Sequence, residues 1–82
     1  MHIVGKGGRT MPLIMASENK DYIINKIRGS EEVLTRLKNL GFVPDAPLTV
    51  LQKTDSGIIV KLFESRLAID MKLGSKIDVR EA

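Results

Sequence analysis

Between Ser30 and Val50 the chain reads SEEVLTRLKNLGFVPDAPLTV, a helix, its stop signal and the start of a strand with almost no spacer. Ser30 is placed to cap the helix by accepting a bond from an otherwise unpaired amide. Glu31 and Glu32 fall in the first turn, where the helix dipole favours negative charge. Val33, Leu34, Leu37 and Leu40 recur at helical spacing and predict one apolar stripe, while Thr35, Arg36, Lys38 and Asn39 lie off it. Glu32 and Arg36 stand four apart, the spacing of a helix-surface ion pair. Gly41 supplies the left-handed residue that ends a helix, Phe42 is placed to fold back on Leu37 as in a Schellman stop, and Pro44 forbids resumption.

Around this helix the sequence is strand-like. Tyr22 to Ile27, Leu48 to Lys53, Ile58 to Phe63 and Ile77 to Arg80 are rich in β-branched or large apolar residues, and Arg66 to Ile69 makes a short fifth run. Thr54-Asp55-Ser56-Gly57 suits a tight hairpin, and Glu64-Ser65 joins the next pair closely. Met71 to Ser75 is long enough only for a single helical turn. Met11 to Ala16 is a short apolar element that packs on the sheet or adds an edge, since Pro12 disfavours a central strand. Five short strands with one helix after the first predict a mainly β fold, an antiparallel sheet bent into a small barrel because an open one would expose long edges.

At 82 residues and 43% hydrophobic the chain is one domain with a small core, leaving little room for an enclosed active site. Met1 to Thr10 holds three glycines, two cations and no carboxylate, and reads as a flexible arm ahead of a domain over residues 11–82. Gly5-Lys6-Gly7-Gly8 lacks the Ser or Thr and the strand-to-helix context of a phosphate loop. Absence of cysteine removes disulfides, thiolate nucleophiles and thiolate metal sites, and fits a reducing cytoplasm. His2 is the sole imidazole, so no histidine-based triad or multi-histidine metal site can form. Asp21, Asp45, Asp55, Asp70 and Asp78 lack the spacing of a calcium loop. The expectation is a non-enzymatic protein with no cofactor and no strong metal site. No apolar run reaches the roughly 20 residues of a membrane span, and the amino terminus has no signal-peptide core. Net charge is +3, yet the basic residues are scattered among acidic ones, and Tyr22, Phe42 and Phe63 are too few for a base-stacking platform. No nucleic-acid partner is therefore expected.

Read in order, Met11-Pro12-Leu13, Tyr22-x-Ile24-x-x-Ile27-x-Gly29, Arg36-Leu37-x-x-Leu40-Gly41-Phe42-Val43-Pro44, Val50-Leu51, Ser65-Arg66-Leu67-Ala68-Ile69 and Lys76-Ile77-x-Val79 resemble the FeoA family of ferrous-iron transport accessory proteins. The resemblance runs from about Met11 to Val79. It implies an SH3-like β-barrel with a helix inserted after the first strand, and a small cytoplasmic protein that engages the GTPase portion of the FeoB-type membrane transporter. There are departures. Asp45 stands where the family has Gly after the corner proline, Glu64 replaces its Gly before the Ser-Arg-Leu run, Gly74 replaces its Ala, and Lys53 to Gly57 is shorter than its hairpin. Met1 to Thr10 has no counterpart.

With that family in mind, the partner surface is expected on the helix and its corner, with Arg36, Lys38 and Asn39 on the polar face and Leu37 and Phe42 at its border. The competing reading places Leu37 and Phe42 in the core. Weak transition-metal binding is a minor further expectation. Two other functions share the barrel. One is a freestanding regulatory module similar to the carboxyl-terminal domain of iron-dependent repressors, and the other is a small nucleic-acid-binding barrel favoured only by charge.

Overall fold

The computed structural model describes residues 9–82, so His2 and the Gly5 to Gly8 run lie outside the described residues, as does most of the expected arm. Six strands form one antiparallel sheet: β1 (Thr10–Pro12), β2 (Lys20–Ile27), β3 (Pro47–Lys53), β4 (Gly57–Leu62), β5 (Ser65–Asp70) and β6 (Ile77–Glu81). A 3₁₀ turn, Leu13–Met15, follows β1. Helix α1 (Glu31–Asn39) joins β2 to β3, and a single turn, α2 (Met71–Gly74), joins β5 to β6. The sheet order is β1-β6-β2-β3-β4-β5. Met11 to Ala16 thus does both things expected of it, adding an edge strand opposite β6 and then burying Leu13 and Ala16. Thr10, placed in the arm by the sequence, opens β1 opposite Arg80.

Two bulges bend the sheet. The β2–β6 register shifts between Ile24 and Lys26, and the β3–β4 register between Val50 and Gln52. An extra residue on one strand increases local twist, so the two central strands coil around a single core. Among the described residues the ladder does not close on itself, because β1 and β5 are its two ends. The expected ring of strand pairs is interrupted there, and α2 packs on β4, β5 and the 3₁₀ turn. β1 is only three residues long, and β5 runs directly into α2.

Alternation sets the core. Tyr22 and Ile24, Leu48 and Val50, Ile58, Val60 and Leu62, Ile69, and Ile77 and Val79 all point inward and are buried. Tyr22 keeps its hydroxyl satisfied by accepting from the Ser17 amide at 2.8 Å. Across the outer surface Lys20 Nζ meets Glu81 at 2.9 Å, and the hydrogen bond and charge of that carboxylate hold the Lys20 pKa above its ordinary value. A raised amine pKa stabilises the fold below its unfolded value and ceases to do so as pH climbs through the folded one. Lys20 therefore contributes throughout the neutral range.

The helix starts and stops as its sequence dictates. Ser30 Oγ accepts from the Val33 amide at 3.2 Å. The Phe42 amide donates to Leu37 O and the Gly41 amide to Lys38 O, both at 2.9 Å, with Gly41 at φ 104°, the two bonds of a Schellman stop. Asp45, at φ 73°, donates its amide to Ile24 O at 2.7 Å and stitches the corner to β2, a left-handed conformation that aspartate tolerates better than most residues. Removing the amino-terminal cap with Ser30→Ala should cost about 1 kcal/mol, read as a lower urea midpoint at unchanged slope.

Two local expectations need correction. Phe63 does not extend β4. The β4–β5 hairpin closes at Leu62 opposite Ser65, leaving Phe63-Glu64 as a two-residue turn with Phe63 at φ 57°. A turn without glycine left Phe63 looking like one more strand residue. The apolar stripe of α1 is also only partly used. Leu37 is fully buried and Val33 half-buried, whereas Leu34 and Leu40 are 38% and 44% exposed.

Candidate functional site

α1 is a connector between β2 and β3, which pair with each other from Lys20 opposite Val50 to Ile23 opposite Pro47. Leu37 is its one buried residue. That side chain, with the Schellman corner behind it, fixes the helix against the sheet. Around the anchor, Leu34 lies beside Lys38 on one flank, and Leu40 lies beside Arg36 on the other. Arg36, Lys38 and Asn39 are exposed. Glu31, Glu32, Thr35, Arg36 and Asn39 line a shallow open depression along the helix.

Leu37 and Phe42 are not part of that surface. Both are fully buried, and the expectation that they border the contact is corrected. The reason is the Schellman stop itself, which turns Phe42 back over Leu37 and so commits both to the core. The apolar side chains available at the helix are Leu34 and Leu40.

A second surface was missed in the sequence. On the outer face of the sheet, strand register aligns Asp21, Thr49, Lys61 and Arg66 in one row across β2, β3, β4 and β5. Thr49 Oγ1 donates to Asp21 Oδ1 at 2.6 Å. Beside this row lies a groove of about 310 Å³ bounded by Pro47, Thr49, Lys61 and Phe63. Phe63 is 57% exposed and holds a backbone conformation that bulky residues rarely adopt. Such strain concentrates at functional positions. The signal available beforehand was the gap of only two residues between Leu62 and Ser65.

Among the described residues, no group of three or more His, Cys, Asp or Glu side chains is placed to hold a metal ion. No helix among them is long and apolar enough to cross a membrane.

Residues 11–81 match the FeoA domain family. An iron uptake regulatory protein, FeoA, superposes with a TM-score of 0.84 at 27% identity, over 90% of this chain and 100% of its own. The FeoA protein of Chlorobium tepidum superposes at 0.79 and 23% identity, over 87% of this chain and 70% of its own. A manganese-dependent transcriptional repressor reaches 0.85 at 15% identity, over 94% of this chain but 44% of its own length. The shared fold is SH3-like, and this chain spans less than half of that repressor. A comparison with curated proteins found no match. The family match spans every strand after β1 together with both helices, and the chain belongs to the FeoA family.

Proposed function

We propose that this chain is a non-catalytic, cytoplasmic accessory protein of ferrous iron transport that acts by docking on the GTPase portion of an FeoB-type transporter. Family membership supports the iron-transport role. The observation that carries the docking surface is α1, which uses one side chain as its anchor and leaves Leu34 and Leu40 exposed beside Arg36 and Lys38. Apolar groups set beside arginine on a rigid element are the composition of interface centres. Asn39 adds hydrogen-bonding capacity on the polar face.

The test separates binding from folding. Arg36→Glu and Lys38→Glu are exposed changes and should leave stability within about 0.5 kcal/mol. Combined, they should weaken binding to the isolated transporter GTPase portion by about tenfold or more, measured by calorimetry. Native melting together with full binding would exclude the helix as the interface.

A second reading is supported by the repressor-like fold, in which the chain is a freestanding regulatory module contacting another protein. Capture of a metal-dependent regulator instead of the transporter portion by the purified chain would favour it.

A further inference from the structure

The two ends of the sheet differ. β1 has three residues and ends in Pro12, features that blunt an edge, whereas β5 has six residues with neither glycine nor proline. The two-residue hairpin closes on a hydrogen-bonded pair, Leu62 with Ser65, and antiparallel alternation then directs the main-chain groups of Ser65, Leu67 and Ile69 toward β4. Arg66, Ala68 and Asp70 consequently turn their main-chain groups to the side that no strand covers among the described residues, and all three residues are exposed.

From this edge we infer that β5 pairs with β5 of a second copy of the chain, antiparallel and about a two-fold axis through Ala68. The segment Arg66-Leu67-Ala68-Ile69-Asp70 is complementary to itself when reversed. Pairing centred on Ala68 sets Arg66 opposite Asp70 of the second copy twice, Leu67 opposite Ile69 twice, and the smallest side chain at the axis. Shifting the register by one residue would oppose inner and outer faces. Shifting it by two sets Arg66 opposite Ala68 in one direction or Lys72 in the other, and loses both charge pairs.

The monomer leaves these charges in need of such a neighbour. Arg66 lies directly across from Lys61 on β4, and like charges so placed repel. Among the described residues neither forms an ion pair; the three present join Lys20 to Glu81, Arg28 to Asp78 and Arg80 to Asp45. Asp70 uses Oδ1 to cap α2, accepting from the Leu73 amide at 2.7 Å, which leaves Oδ2 for the second copy's guanidinium. The interface is isologous and continues the sheet, so each copy supplies the same strand.

Analytical ultracentrifugation of the full chain should show a concentration-dependent monomer–dimer equilibrium. Ala68→Pro removes a donor that faces away from β4 and should abolish the dimer while keeping the monomer folded. Arg66→Glu opposes two carboxylates and should raise the dimer dissociation constant by about tenfold. Asp70→Asn, which keeps a good helix cap, should weaken the dimer without lowering the melting temperature. Independently of any variant, amide exchange at Arg66, Ala68 and Asp70 should slow as wild-type concentration rises. A chain that stays monomeric up to about 1 mM would overturn the proposal. So would a dimer whose β5 amides exchange at a rate independent of concentration, since a different surface would then hold it together.

Discussion

Phe42→Ala should lower stability by about 3 to 5 kcal/mol, and Leu37→Ala by about 2 to 5 kcal/mol, against a total of about 5 to 15 kcal/mol for an ordinary domain. Both side chains are fully buried, and they meet at the stop of α1, so each truncation opens a cavity where helix and sheet join. Urea denaturation followed by circular dichroism would measure this as a fall in midpoint at unchanged slope. Phe42→Leu keeps most of the buried volume and should lose much less. Midpoints lowered by less than the equivalent of about 1 kcal/mol in both alanine variants would mean that this corner is not core.

That pair also shows how far a sequence carries. Every bond of the helix stop could be anticipated, because Gly41 and Phe42 act through local geometry within one turn of Leu37. The five strands from β2 to β6 were legible for the same reason, each within about two residues of its bounds, and so was the single turn after Asp70. What alternation and spacing do not encode is how much of a stripe the sheet covers. Leu34 and Leu40 satisfy the helical period as well as Leu37 does, yet only Leu37 finds the core. Bulges in β2 and β3, which decide the curvature, have no residue signature in either strand. At the candidate site, Arg36, Lys38 and Asn39 were recognisable as exposed from their place off the stripe. The outer row from Asp21 to Arg66 exists only through register, joining residues far apart in the chain.

Replacing Gly57 with alanine should be among the most damaging of the conservative changes, at about 1 to 3 kcal/mol or more. A Cβ built there would stand 2.5 Å from the carbonyl oxygen of Ile69, and because that atom is backbone, the β4–β5 ladder itself would have to move. Gly74→Ala is the control. Its Cβ would meet the side-chain ends of Ile14 and Ile58 at 3.0 and 3.1 Å, groups that can shift by a few tenths of an ångström. A helical alanine gains up to about 1 kcal/mol over glycine, so this change should be close to neutral. Thermal melts of the two variants side by side would decide the matter. Equal melting temperatures would show that the β4–β5 spacing is looser than the contact distance implies.

The joining of β2 to β3 through α1 has a further consequence. These strands are neighbours in the sheet, so the whole stretch from Ile24 to Ala46 closes a loop between Ile23 and Pro47, which are already adjacent. Loop-closure entropy grows only with the logarithm of length, about 0.6 kcal/mol for each doubling. The sheet is therefore nearly indifferent to how long the insertion is, provided large apolar side chains still plug the core where Leu37 and Phe42 do. Such a segment is free to lengthen, shorten or change its exposed chemistry at little thermodynamic cost, which makes it the part of the chain best suited to diverge with whatever it meets.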